Sequence, residues 1–340
     1  MSMRAWEVSG SFGLDQLSLV ERPEPVLGPH QVRIAVRAAS LNYRDLLMVQ
    51  GVYNPRQPLP LIPVSDGAGE VVEVGSEVRG WKPGDRVCGH MPQAWLAGRP
   101  HRGVLASTLG GPMDGALAES MVVSEFGLVR APKHMSFVEA ATLPCAALTA
   151  WNALVEQGEL LAGQTVLILG TGGVAIFALQ IAGLLGARAI VTSSSDDKLV
   201  RARELGAWQT LNYRSDPSWS KTVFEMTERE GVDLTIEVGG AGTLEQSVRA
   251  TRIGGRIVLI GNLSGNEAKL NLVPVFMKQI RLQGILVGHL ESFQSMNRAL
   301  ETGMLRPVVD RVFPFAEAVE AFRYLEGGQH FGKICIEVAA

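Results

Sequence analysis

Gly170-Thr171-Gly172-Gly173 interrupts an apolar run, and Ala175 follows at a spacing suited to holding a phosphate. Gly170 permits a tight turn, Gly172 lets backbone approach a pyrophosphate, and the small Ala175 allows close helix packing. With Thr171, Gly173 and Val174 they aim backbone N–H groups and a helix N-terminus at an anion. A second set lies about 20 residues on, where a carboxylate closing the next strand would take a ribose 2′-hydroxyl. Thr192 or Ser193 stands there instead, so a 2′-phosphate would meet no repulsion. Ser193 and Ser194 can donate hydrogen bonds and Lys198 can supply charge, which together predict NADP(H). Two other readings stay open. Ser194-Ser195-Asp196-Asp197 can cap the following helix, and a strand ending three residues later would make Asp196 or Asp197 a ribose ligand.

The elements that must position these residues are legible around them. Thr165–Leu169 reads as a strand buried on both faces, with a mostly apolar helix after the turn to about Leu185. Further strands are expected at 188–192, 209–212, 233–238, 256–260 and 281–287. Helices are expected at 174–185, 196–205, 217–229 and 242–251. This alternation implies an α/β fold with a parallel sheet covered by helices. The first part, to about Val129, is different: short strands punctuated by Gly and Pro, as in Gln31–Arg37, Gly69–Gly75 and Asp85–Cys88. It reads as a partly open antiparallel β-structure. Segment 91–115 has little periodicity and reads as a long surface loop. Helices at 291–303 and 315–326 and a strand at Ile334–Val338 close the chain.

Composition excludes several classes. The 340 residues suit two domains, and 46% hydrophobic with 19% charged is ordinary for a soluble globular chain. A net charge of −3 gives no electrostatic reason to expect nucleic acid or an anionic membrane. The N-terminal residues lack the apolar core of a secretory signal, the apolar stretch 173–185 is too short to span a bilayer, and Cys88, Cys145 and Cys335 show no paired spacing. A cytoplasmic location is the expectation.

Residues in both halves resemble the medium-chain dehydrogenase/reductase superfamily, in its zinc-independent, quinone-oxidoreductase-like branch. The markers are Ser40-Leu-Asn-Tyr-Arg-Asp45, Leu61–Glu70, Lys82–Val87, Leu148-Thr-Ala-Trp151, the glycine turn, Glu204–Ala207, Asn212–Arg214 and Phe331-Gly-Lys-Ile334. The resemblance implies a GroES-like, partly open β-barrel catalytic domain (1–145 and 289–340). Into it is inserted a Rossmann doubly wound domain (146–288), with the active site in the cleft between them. It implies that Asn42, Tyr43, Asp45 and Tyr53 lie beside the reacting centre, and that Thr149, Gly261 and Asn262 hold the nicotinamide end. Tyr213 and Arg214 would flank the adenosine phosphate, Lys333 would contact the pyrophosphate, and Met91 and Trp95 would wall the pocket. His90 and His289 read first as structural residues.

Zinc members of the superfamily use Cys, a His-Glu pair and a second Cys or an acid as ligands. Matched to that pattern, the positions are Asn42, Asp66-Gly67 and Cys145. One thiol and one carboxyl are a poor zinc set, and a metal-free enzyme is expected. Without a Lewis acid such an enzyme needs an acceptor whose conjugation spreads charge: a quinone, or an α,β-unsaturated ketone or aldehyde. Tyr53 or Asn42 would hydrogen-bond the incipient oxyanion. Two alternatives remain at this level, a metal-free NADP-dependent alcohol or aldehyde dehydrogenase and a non-catalytic NADPH-binding protein. The resemblance also implies a homodimer joined through the edge strand at 282–288.

Overall fold

The computed structural model describes residues 2–338. One compact unit comprises the chain up to Leu148 and again from Gly288, and the other is Thr149–Val287.

In the first unit β1 (Ser2–Val8) and β2 (Leu17–Pro23) form an antiparallel pair. β3 (Gln31–Leu41), β4 (Asp66–Val74), β5 (Arg86–Gly89), β6 (Ser120–Ser124) and β7 (Leu128–Arg130) build the main antiparallel sheet. β3 shows why: Val32, Ile34 and Val36 are buried between half-exposed Arg33, Ala35 and Arg37, the period of a sheet with one wet face. From Ala38 to Leu41 the strand is buried on both faces, and it leads into the helix Tyr43–Val49.

The second unit carries β8 (Thr165–Leu169), β9 (Arg188–Ser193), β10 (Gln209–Asn212), β11 (Val232–Glu237), β12 (Thr251–Leu259) and β13 (Arg281–Gly284). They form one parallel sheet in the order β10-β9-β8-β11-β12-β13. This is the doubly wound order, whose direction reverses between β8 and β11. All five residues of β8 are buried, and burying each large apolar side chain contributes roughly 1.5–3 kcal/mol. The chain then returns to the first unit with β14 (Val309–Pro314) and β15 (Lys333–Glu337), which lies against β3.

Three expectations need correction. The strand expected over 281–287 stops at Gly284, where its pairing with β12 runs out after Ile285 donates to Leu259 O. The helix expected over 217–229 spans Trp219–Met226, ended by Glu228 and Arg229 at positive φ. Segment 91–115 is not a plain surface loop. Bridges Pro92↔Thr108 and Leu109↔Met113 organise it, and Met91, Trp95, Val104 and Leu109 are buried.

Candidate functional site

In the second unit the glycine turn has the conformation its sequence demands. Gly170 sits at φ +82°, the left-handed region that glycine enters without steric cost. Its N–H donates to Thr192 O at 3.0 Å and lies 3.4 Å from Thr192 Oγ1, tying the turn to the end of β9. Gly172 is the N-cap of the helix Gly173–Leu184, and no side chain caps it. The first N–H groups at Gly173 and Val174 therefore face an anion site rather than a side-chain oxygen. Thr171 is buried beside them. These residues fit a dinucleotide pyrophosphate.

β9 ends at Ser193, so the register leaves a hydroxyl where a carboxylate would select a ribose 2′-hydroxyl. Ser193 Oγ accepts from Ser195 N at 3.3 Å, and Ser195 caps the helix Asp196–Glu204 by accepting from Lys198 N. Asp196 belongs to that helix and takes a hydrogen bond from Asn212 Nδ2, so it does not close the strand. Tyr213 is exposed, and its N–H donates to Ser193 O. Ser194 is half-buried between the strand and the helix.

At the other side of the switch point a cavity of about 380 Å³ is lined by Gly240, Ala241, Leu259, Gly261, Asn262 and Asn266. Asn262 donates its side-chain amide to Asn266 Oδ1. Glu237, which the sequence reading missed, builds this wall. Its buried carboxylate accepts from Gly239 N at 2.7 Å, Gly240 N at 3.0 Å, Thr243 Oγ1 at 2.6 Å and Ser247 Oγ. An acid ending an apolar strand before Gly239-Gly240 was the available signal. Thr149 is buried in the helix turn Leu148–Trp151.

In the first unit Asn42 is the N-cap of the helix Tyr43–Val49, and Asp45 returns its Oδ2 to Asn42 N at 2.9 Å. Asp45 Oδ1 accepts from Ser65 N at 3.1 Å and from the Arg44 guanidinium at 3.0 Å. Both oxygens of Asp45 are thus taken up inside the fold, and the residue positions the Asn42 turn rather than meeting a ligand. Arg44 also binds the carbonyls of Leu109, Gly110 and Gly111 and stacks over the Tyr53 ring at 5.2 Å. Tyr43 and Tyr53 are exposed, Tyr53 at 52%.

Lys333, on β15, is 2% exposed. Its Nζ donates to Leu41 O at 2.5 Å and to Asn42 Oδ1 at 2.6 Å. The ammonium expected at a pyrophosphate is instead inserted among the positions that align with zinc ligands. Asp66 Oδ1 accepts from Ser65 Oγ at 2.7 Å and its Oδ2 accepts from Cys145 N at 3.1 Å. Burial raises the Asp66 carboxyl to about 6, partly offset by Lys333, and burial also pushes the Cys145 thiol upward. With a cation already bound at Asn42, one carboxyl and one thiol remain, a poor set for zinc. Among the described residues no group of three His, Cys, Asp or Glu side chains could hold a metal.

The remaining expected residues all lie within the first unit. Trp95 donates Nε1 to Gly98 O and meets His289 edge-on, while Met91 O accepts from Leu109 N, so both pack within the first unit. His90 is fully buried with Nε2 at 3.2 Å from Trp95 O, and burial pushes its imidazole down to about 3. His289 caps the helix Leu290–Thr302.

The chain matches known proteins along nearly its whole length. A family model described as an alcohol dehydrogenase GroES-like domain matches residues 28–133. One described as a zinc-binding dehydrogenase matches 173–302. A zinc-type alcohol dehydrogenase-like protein of Schizosaccharomyces pombe is 41% identical over 96% of this chain and 96% of its own. An NADPH-dependent alkenal/one oxidoreductase of Arabidopsis thaliana chloroplasts is 32% identical over 98% of this chain and 79% of its own. A crystal structure of an NAD-dependent alcohol dehydrogenase superposes with a TM-score of 0.91 at 37% identity, covering 99% of this chain and 100% of that one. With a doubly wound sheet, a glycine turn open to an anion and a GroES-like partner unit, the chain is an oxidoreductase belonging to the medium-chain dehydrogenase/reductase superfamily.

Proposed function

We propose that the protein is an NADPH-dependent, zinc-independent reductase of conjugated carbonyl compounds, quinones or α,β-unsaturated ketones and aldehydes. The observation that carries this reading is the Lys333 ammonium on Asn42 Oδ1, where zinc relatives need a metal ligand. Without a metal to polarise a simple carbonyl, conjugation in the acceptor must spread the developing charge. The likeness to an alkenal/one oxidoreductase supports the same class.

In this reading NADPH, when bound, supplies the hydride. Gly170, Thr171, Gly172, Gly173 and Val174 hold its pyrophosphate, and Ser193, Ser194 and Lys198 hold the 2′-phosphate. Tyr213 flanks the adenosine, and Thr149, Gly261 and Asn262 hold the nicotinamide end. The protein's own contribution is to orient the acceptor and to donate to its oxygen from the Asn42 amide. The proton that completes reduction comes from the Tyr53 hydroxyl or from water. Since one similar structure is described as NAD-dependent, coenzyme choice rests on the local residues, the hydroxyl of Ser193 and the charge of Lys198.

The assembly we propose is a homodimer. Among the described residues β13 is an edge strand with one side unpaired, and Leu282, Leu286, Phe276 and Met277 beside it are exposed. An open apolar edge of this kind is suited to pairing with a second copy.

The deciding experiment is NADPH oxidation with a benzoquinone, a 2-alkenal and a saturated aldehyde. Turnover of a conjugated acceptor and none of the saturated aldehyde is expected. Turnover of the saturated aldehyde alone would replace this reading with an alcohol or aldehyde dehydrogenase.

A further inference from the structure

Glu237 closes β11 fully buried, and its four side-chain partners are all neutral donors. Its charge makes each of those hydrogen bonds stronger than a neutral acceptor would. Oε1 gathers Gly239 N, Gly240 N and the Thr243 hydroxyl, while Oε2 takes the Ser247 hydroxyl in the first turn of the helix Leu244–Ala250. The carbonyl of the same residue accepts from Ile260 N at 2.8 Å and from Gly261 N at 3.4 Å, just past β12. One residue thus holds two segments, 238–243 by its side chain and 260–261 by its backbone. The segments then hold each other. Ser264 N and Oγ both donate to Gly239 O at 2.7 Å, and Gly242 N donates to Ser264 Oγ at 2.8 Å. Ala241 N donates to Gly265 O at 3.1 Å. At Gly240, with φ +81°, the two backbones lie so close that a Cβ would stand 2.8 Å from Asn262 Cα. The cavity of about 380 Å³ lies against both segments.

Loops at the end of a sheet are normally the mobile part of a fold. Here the turns are tied down before a ligand arrives, and such pre-organisation spares the ligand the cost of ordering them. We propose that Glu237 is a positioning residue for the nicotinamide half of the coenzyme, setting the spacing of the two cavity walls through its carboxylate and its carbonyl. The inference rests on the reading that Gly261 and Asn262 hold the nicotinamide end. It adds the residue that fixes where they stand, and it confines that residue's effect to one half of the ligand. Ser193, Ser194 and Lys198, assigned to the 2′-phosphate, lie at the end of β9 or after it, and β8 separates β9 from β11. Removing the Glu237 carboxylate therefore disturbs the nicotinamide half and leaves the adenosine half in place.

The test is calorimetric binding of two ligands to the full chain: NADPH, and adenosine 2′,5′-bisphosphate, which carries the 2′-phosphate and no nicotinamide. Glu237→Ala should raise the Kd of NADPH at least about tenfold, as pre-organisation is lost in one half of the site. The Kd of the bisphosphate should stay unchanged. Amide hydrogen exchange over 238–243 should speed up in the same variant. Glu237→Gln keeps an oxygen for the Gly239 and Gly240 N–H groups and should restore most of the NADPH affinity. Should Glu237→Ala fail to fold, Thr243→Val keeps the carboxylate, removes one donor to it, and should weaken NADPH binding alone, by less. Equal weakening of both ligands, or an unchanged NADPH Kd in a Glu237→Ala whose exchange is faster, would overturn the inference. Asn262→Ala separates the two levels. If it binds NADPH as tightly as wild type, the reading of the nicotinamide end falls. If it weakens NADPH binding while Glu237→Ala does not, that reading stands and the positioning role falls.

Discussion

Asn212 Nδ2 donates to Asp196 Oδ1 at 2.8 Å, pinning the first turn of the helix Asp196–Glu204 to the end of β10. The contact takes up the nearest carboxylate that could have bound a ribose 2′-hydroxyl and leaves Ser193 at the strand end. In the proposed function, coenzyme choice rests on Ser193 and Lys198. Lys198→Ala should raise KM for NADPH about tenfold, the cost of one charged hydrogen bond, and leave KM for NADH nearly unchanged. Ser193→Asp should reverse the preference. Steady-state kinetics with both coenzymes checks this, and a wild-type enzyme with the lower KM for NADH would refute the NADPH assignment.

At Gly170 the sequence and the structure agree on a mechanism. A side chain at φ +82° costs about 1–2 kcal/mol of backbone strain even though nothing crowds the added Cβ. Gly170→Ala should lower the thermal midpoint and weaken NADPH binding together. Calorimetry and fluorescence titration would show both. Binding loss without a change in stability would mean that the turn is not strained by the substitution.

The two halves were unequally legible in the sequence. Strand, glycine turn and helix could be read locally because β8 is apolar throughout and Gly170 needs its positive φ. The site around Asn42 could not, because Lys333 lies far along the chain and meets Asn42 only through β15 pairing with β3. No spacing rule predicts that contact, so the reading assigned Lys333 by resemblance alone. Glu237 escaped for the related reason that its partners are backbone N–H and hydroxyl groups of a loop and the helix after it, which carry no motif. The order inside 91–115 was hidden because Arg44 binds three successive carbonyls, a contact that leaves no trace in hydrophobic periodicity.

Asp45 is the centre of another prediction. It is fully buried and accepts from Asn42 N, Ser65 N and the buried Arg44. Asp45→Ala would leave that guanidinium without its carboxylate, a defect that typically costs about 3–5 kcal/mol. Urea denaturation should show a loss of this size, whereas Tyr53→Phe, at an exposed hydroxyl, should leave stability unchanged and lower kcat. An unchanged kcat in Tyr53→Phe would take Tyr53 out of the reaction.

Stability should depend on pH through Asp66. Burial lifts its carboxyl from the ordinary 3.8 to about 6. Between those values the folded protein holds a proton that the unfolded chain has released. Stability therefore falls as pH rises through this window and levels off above it. The difference in unfolding free energy between wild type and Asp66→Asn isolates the effect, because it cancels the opposite contribution of buried His90. That difference should move against wild type from pH 4 to pH 6 and stay flat above pH 7. A difference that is flat across pH 4–7 would show that Asp66 is ionised throughout, held so by Lys333.

The apolar edge of the second unit supports the last prediction. Phe276 and Met277, in the short helix Leu272–Met277, are 61% and 69% exposed, and Leu282 and Leu286 on and after β13 are exposed as well. Burying such side chains against a second copy would recover roughly 25 cal/mol for each Å² of apolar surface removed from water. Unpaired backbone groups of β13 would meanwhile find partners. The wild-type protein should sediment at about twice its chain mass of 36.5 kDa. Phe276→Glu with Met277→Glu should sediment as a monomer, because two carboxylates per copy would have to lose their water in the interface. Neither residue contributes to the cores of the unit, so the circular dichroism spectrum and NADPH affinity should be retained. A wild-type chain that sediments as a monomer at micromolar concentration would refute the dimer. A variant that stays dimeric would move the interface away from this edge.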